Sequence, residues 1–368
     1  VLLLTEGFLG NGSEPWHIPS MKDYPKIVPP FAQPNTEYKP FQDFVVKEFS
    51  SGADRTMPIV YALQEEIYTP DKFTSHLSSL GAENSFVVLD YDKFHTLPSE
   101  GDRYFKYLKE LNIGGVIFKF SKKPNYFKAR SFFTTPFPVI CVGPEFPEAA
   151  KEATVKFQNE FIEKHNSQNV FARIKGTSDS DSCWMFIAHY DHLGKLGKKT
   201  YYPGAHDNAS GTAAIVTLAA HYAKNQPEYD MYFIAFSGED SNLHGSECYA
   251  ENPLVPLSQI KYLVNLDMIA DNNPVQYCEV SDPGMAGYSV FESINSEKGY
   301  FKSLHRAELA GNSDHYPFAL KGVPCIFLMN EGGDAFKYYH TIYDTWENFL
   351  PDSYEPMMKL ILDFVDRY

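Results

Sequence analysis

Five segments of the chain gather side chains able to hold a divalent cation. They are His189-Tyr190-Asp191-His192, His206-Asp207-Asn208-Ala209-Ser210-Gly211, Gly238-Glu239-Asp240, Asn265-Leu266-Asp267-Met268 and Tyr339-His340-Thr341. A lone histidine or aspartate after an apolar run is most often a helix cap or a solvated loop residue. Five such segments in one half of the chain, mixing imidazole with carboxylate, fit a divalent-metal site of borderline softness, with zinc as the leading candidate. Thiolate ligation is not suggested, because the cysteines (Cys141, Cys183, Cys248, Cys278, Cys325) are odd in number and show no C-x-x-C spacing.

These segments follow apolar runs, so the elements that position them can be read next. Residues 183–188 form a continuous apolar run, and 231–236, 263–266 and 325–329 are similar; each predicts a strand. Residues 170–174 alternate as a half-buried strand, and 210–222 carry helical spacing that begins just after Asp207-Asn208. Strands alternating with helices predict a mixed, largely parallel α/β sheet flanked by helices, with ligands beyond the carboxyl ends of the strands. Upstream, runs at 59–63, 86–89, 114–118 and 138–142, with a helix over 102–111, predict a smaller α/β domain ending near Pro144. Ala150, Ala153, Phe157 and Phe161 recur at helical spacing and predict a helix over 148–165 that opens the second domain. The proline-rich residues 11–40 are expected to form an extended leader. The predicted domains are therefore 1–145 and 146–368.

The first four segments, in this order, with His244-Gly245-Ser246 after Gly238-Glu239-Asp240, then Ser313-Asp314-His315-Tyr316-Pro317-Phe318 and Tyr339-His340-Thr341, closely resemble the co-catalytic zinc aminopeptidases, family twenty-eight of the metallopeptidases. The resemblance covers roughly residues 165–368, and the preceding region looks like a protease-associated domain. The resemblance implies a zinc exopeptidase fold and two Zn2+ per chain. His189 and Asp267 would hold one zinc, Asp240 and His340 the other, and Asp207 would bridge them. Glu239 becomes the general base acting on a water between the metals, and Tyr339 supports the developing oxyanion. Asp191 is the expected carboxylate orienting His189, while His192, His206 and His315 are expected to line the pocket or hydrogen-bond rather than ligate. The resemblance also implies a cis bond between Asp207 and Asn208. Where most relatives carry a second glutamate this chain has Asp240, one methylene shorter, which predicts a weaker or partly filled second zinc position.

The implied function is removal of N-terminal residues from peptides with a free amino end. Two other readings compete: a glutaminyl-cyclase-like enzyme with a single zinc, in which tryptophan typically precedes the last histidine where Tyr339 stands here, and a non-catalytic binding module on the same fold. Composition narrows the partners. A formal net charge of −15 over 368 residues repels polyphosphate and anionic lipid, so nucleic acid is not an expected partner. No apolar window approaches the roughly 18 to 20 residues of a bilayer-spanning helix, so no membrane insertion is expected. Because the chain starts at Val1 without methionine, a processed or trimmed form is expected, and because relatives are mostly exported, an extracytoplasmic setting, secreted or periplasmic.

Overall fold

Each apolar run that precedes a ligand segment is a strand in the computed structural model, which describes residues 2–8, 38, 43–97, 101–122, 124, 133–159, 165–196 and 200–368. In chain order the strands are β1 Leu2–Phe8, β2 Phe44–Val46, β3 Ala53–Ala62, β4 Phe86–Asp90, β5 Gly115–Lys119, β6 Val139–Val142, β7 Glu152–Phe157, β8 Ser167–Ile174, β9 Cys183–His189, β10 Lys195–Leu196, β11 Thr200–Tyr201, β12 Asp230–Phe236, β13 Ile260–Leu266, β14 Val275–Val280, β15 Ser303–Ala307 and β16 Cys325–Met329. The helices are α1 Pro70–Ser79, α2 Tyr91–Phe94, α3 Gly101–Glu110, α4 Ser210–Tyr222, α5 His244–Glu251, α6 Met285–Lys298, α7 Tyr316–Leu320 and α8 Tyr354–Arg367.

Two units result. The larger holds an eight-stranded sheet in the order β1-β8-β12-β9-β13-β16-β14-β15. Its centre, β12-β9-β13-β16, is parallel, while β1, β8 and β14 pair antiparallel with their inner neighbours, so the sheet is mixed as predicted. All seven residues of β9 are buried, as a central strand covered on both faces requires. Trp184 on this strand packs against Phe186, Tyr262 and Phe364, and that apolar seating sets the register. A one-residue slip would turn His189 to the opposite face of the sheet. No helix among the described residues is long and apolar enough to cross a membrane.

The smaller unit contains a six-stranded sheet, β2-β6-β5-β4-β3-β7, around its own core of Phe73, Leu77, Val87, Leu108 and Val116. Here the structure departs from the predicted helix over 148–165, because residues 152–157 form β7, antiparallel to β3. Ala153, Val155 and Phe157 are buried in alternation, and this period of two prevails over the helical spacing because β3 offers an edge to pair with. The larger compact unit comprises 1–12, 166–194 and 202–368 and the smaller 13–165 and 195–201, beside the expected domains 1–145 and 146–368. The predicted leader over 11–40 lies outside the described residues except for Tyr38. The five cysteines remain thiols, with four buried and Cys248 partly buried.

Candidate metal centre

The parallel centre of the large sheet delivers three of the ligand segments to one place. His189 is the last residue of β9 and stands opposite Phe236, the last residue of β12; Asp267 follows directly on β13. Beyond β12 the chain turns at Gly238, whose φ of +77° is a left-handed conformation suited to glycine. Glu239 and Asp240 therefore sit on a turn, not on a strand, and their side chains diverge from it. Glu239 Oε2 lies 3.9 Å from His189 Nε2, whereas Asp240 Oδ1 lies 3.1 Å from His340 Nε2.

Asp207 occupies the middle. Its Oδ1 is 3.2 Å from His189 Nε2, and its Oδ2 is 3.1 Å from His340 Nε2. His189 Nε2 is also 3.2 Å from Asp267 Oδ1. Each oxygen of Asp207 thus faces an imidazole that is itself beside a second carboxylate. The turn holding Asp207 is built by its neighbours: Asp344 accepts the backbone N–H groups of His206 and Asp207 at 2.8 and 3.0 Å. The Asp207–Asn208 bond is cis, as the resemblance implies. Asn208 Oδ1 accepts from Gly211 N and Met268 N, clamping the start of α4 to the chain leaving β13. Gly211 is required there, since a Cβ would fall 2.0 Å from the Leu266 carbonyl oxygen.

The donor set fits a divalent cation of zinc type. Two imidazoles and three carboxylates converge with mutual spacings of 3.1 to 3.2 Å, close to the ligand–ligand edge of about 3.3 Å in a tetrahedron with roughly 2.0 to 2.1 Å bonds. Asp207 Oδ2 is buried without a well-formed hydrogen bond. Asp207, Glu239, Asp240 and Asp267 line one cavity of about 150 Å³ with Met268, Asn312, Phe327, Met329, Phe336, Tyr339 and His340, and no lysine or arginine is among them. Buried carboxylates at this density, faced by imidazoles, suit a bound cation.

The carboxylates are electrostatically unequal. Burial opposes the ionisation of Asp207, yet His192, His189 and His340 outweigh it and hold the group well below the usual range. Asp240 is held at about 2 in the same way: burial and Asp207 push up, and His192 and His340 prevail. Glu239 goes the other way, pushed well up by burial first and then by Asp267, Asp240 and Asp314, with His189 opposing. Of these three it is the carboxyl on which a proton is most readily accommodated.

The structure places His189, Asp191, Asp207, Glu239, Asp240, Asp267, Tyr339 and His340 together in or beside this constellation. The Asp191 carboxylate stands 3.8 Å from His189 Nδ1, whereas the Asp191 carbonyl oxygen is 3.0 Å from that nitrogen. Two residues along an extended chain end, the carbonyl is the nearer acceptor; the carboxylate instead accepts the backbone N–H of Glu239 at 3.3 Å. The shorter reach of Asp240 does not keep it from His340, since its 3.1 Å approach equals that of Asp207. His315 is fully buried, 3.3 Å from Glu279 and stacked on Phe327. Sequence reasoning missed Ser313, which donates to Asp267 Oδ2 at 2.8 Å and accepts from Asn265 at 2.8 Å. It also missed Asp271, which accepts the N–H groups of Ala335 and Phe336 and so shapes the approach to Tyr339. A buried hydroxyl orienting a ligand carboxylate contributes about tenfold to metal affinity. Ser313→Ala is accordingly expected to weaken zinc binding about tenfold in a chelator-competition titration, and an unchanged affinity would deny it that role.

The model of peptidase family M28 matches residues 169–365. Aminopeptidase YwaD of Bacillus subtilis is 30% identical over 224 residues, which are 57% of this chain and 47% of that protein. A probable zinc metalloprotease of Pyrenophora tritici-repentis is 32% identical over 106 residues, 28% of this chain and 22% of that one. The matches thus span about half or less of these curated relatives. Among solved structures, BSAP, a zinc aminopeptidase from Bacillus subtilis, is similar with a TM-score of 0.69 at 20% identity, over 99% of this chain and 84% of that one. An aminopeptidase from Aneurinibacillus sp. strain AM-1 has a TM-score of 0.67 at 17% identity, over 99% and 83%. Both are likenesses of fold.

Proposed function

The chain belongs to peptidase family M28, and from that premise we propose that it is a zinc-dependent aminopeptidase removing residues from the free amino ends of peptides. The observation that carries this reading is Asp207, whose two oxygens each face a separate imidazole–carboxylate pair. His189 and Asp267 would hold one zinc, His340 and Asp240 a second, and Asp207 both. Zinc bound there would polarise the scissile carbonyl and lower the pKa of water.

The chain's own residues supply the rest. Glu239 takes one proton from the attacking water as its oxygen adds to the carbonyl carbon, and returns it to the nitrogen as the C–N bond breaks. Glu239 is placed for this by geometry: its Oε2 stands 3.9 Å from His189 Nε2, beside the converging donors, and it lines the same cavity. Tyr339 stacks on His340 with ring centroids 3.8 Å apart, and its ring is further flanked by Phe336. Burial, then Asp207, Asp240 and Glu239, raise its phenol, so the hydroxyl stays a neutral donor for the tetrahedral oxyanion. We place this activity outside the cytoplasm, as the family resemblance suggests, and assign the smaller unit, with Gly114-Gly115-Val116-Ile117-Phe118 entering its central strand, a protease-associated-like character.

The cavity also suggests a substrate. Met268, Phe327, Met329 and Phe336 give it an apolar wall beside the carboxylates, enough for one side chain. Desolvating a charge against that wall costs more than burying a methylene gains, so kcat/KM on leucyl and methionyl anilides is expected to exceed that on glutamyl and lysyl anilides by at least about tenfold. The deciding experiment pairs metal analysis with a panel of aminoacyl anilides and N-terminal glutamine peptides. Turnover of the anilides with two zinc equivalents supports the proposal. Cyclisation of glutamine with a single zinc, or no turnover, removes it.

A further inference from the structure

His192 stands outside the ligand set just proposed, yet it touches it. Its Nδ1 is 2.9 Å from Asp240 Oδ2, the oxygen that does not face His340, and 3.7 Å from Asp207 Oδ2. Two imidazoles therefore bracket one carboxylate, His340 at Oδ1 and His192 at Oδ2. An ionised carboxylate only accepts, so the 2.9 Å contact requires the His192 proton on Nδ1. The ring is held in place: its side chain is 8% exposed, and it lies over Gly204, where a Cβ would fall 2.8 Å from both Cγ and Cδ2 of the ring. Nε2 is buried and makes no hydrogen bond among the described residues, so Nδ1 carries the ring's polar anchorage.

We propose that His192 is the positioning residue of the second metal site, its Nδ1–H fixing the rotation of the Asp240 carboxylate so that Oδ1 is presented beside Asp207 Oδ2 and His340 Nε2. The inference rests on the two-zinc reading of the site. Rotation matters because a short aspartate side chain has one torsion fewer than glutamate with which to correct its aim, and a carboxylate free to turn spends entropy when it ligates. Direct ligation by His192 is the less economical arrangement: its Nδ1 is 3.7 Å from Asp207 Oδ2, beyond the 3.1 to 3.2 Å spacing that the other donors share.

The test compares wild type, His192→Ala and His192→Asn, the last placing an amide N–H near the position of Nδ1. Zinc equivalents are counted by plasma mass spectrometry after equilibrium dialysis, and both dissociation constants are taken from competition with a chromophoric chelator. Wild type is expected to hold two equivalents. His192→Ala should keep the first with unchanged affinity and bind the second roughly ten- to a hundredfold more weakly, while His192→Asn stays within a few-fold of wild type. Unchanged second-site affinity in His192→Ala would overturn the proposal. So would equal weakening of both sites, or a His192→Asn variant as weak as His192→Ala, because each points to packing and not to the hydrogen bond. A wild type taking up a single equivalent would instead strike the two-zinc reading itself, and the positioning role with it.

Discussion

Glu239→Gln is expected to lower kcat by roughly two to four orders of magnitude, about 2.7 to 5.5 kcal/mol of transition-state stabilisation, while leaving zinc content and fold intact. The amide fills the same space but cannot take a proton from water. Glu239 is also the carboxylate that stands back from the converging donors, at 3.9 Å from His189 where Asp207 and Asp267 approach to 3.2 Å, so its loss should spare the metal. A sign check on stability separates this from unfolding. Because burial and three neighbouring carboxyl groups raise Glu239 in the folded state, it contributes stability below its unfolded pKa and loses it as the pH rises through the higher folded value. Near neutral pH the metal-free variant should therefore melt no lower than metal-free wild type. Near-wild-type kcat at full zinc loading would remove Glu239 from the proton transfer; a lowered melting temperature would assign it a structural part.

The second large effect concerns the amino end of the substrate. An exopeptidase must recognise something that a chain interior lacks, and the cavity offers Asp207, Glu239, Asp240 and Asp267 with no lysine or arginine among its lining residues. On the proposed reading such a site would bind an α-ammonium ion, or accept a neutral amine as a donor to metal; with a reference pKa of about 7.7 to 8.0 both forms are accessible near neutral pH. Acetylation abolishes charge and lone pair together and adds bulk in a cavity of about 150 Å³. Acetyl-leucyl substrates should be hydrolysed at least about a hundredfold more slowly than their free-amine counterparts in kcat/KM, a loss near 2.7 kcal/mol. Equal rates on blocked and free substrates would exclude the aminopeptidase reading and point to cleavage within a chain or from its carboxyl end.

Much of this site was legible in one dimension because of how parallel sheets are built. Strands β9, β12 and β16 are largely buried on both faces and so appear as apolar runs, while β13 is apolar but for Lys261 and Asn265; near their ends polar residues resume. His189 ends β9, Asp267 follows β13 directly, Glu239 and Asp240 stand three and four residues beyond β12, and α4 spans the predicted 210–222. The helix predicted over 148–165 failed for a related reason. Ala150, Ala153 and Phe157 satisfy helical spacing while Ala153, Val155 and Phe157 satisfy strand spacing, and only the availability of β3 as a partner decides between them. Strands β14 and β15 and helices α6 and α8 were not assigned individually from the sequence.

What the sequence by itself determined is the inventory: the residue types, their order, and the strand ends that must carry them. What the tertiary structure alone decided is the pairing within that inventory. Ser313 reaches Asp267 across 46 positions, His192 reaches Asp240 across 48, and Asp344 reaches the backbone of Asp207 across 137. Asp191 orients His189 by its carbonyl and not by its carboxylate. No local period encodes such choices, because a hydrogen bond depends on approach to within about 3 Å and on direction. Both are set by strand order and by the close seating of Gly204 and Gly211 against their neighbours, which exist only once the sheet has assembled.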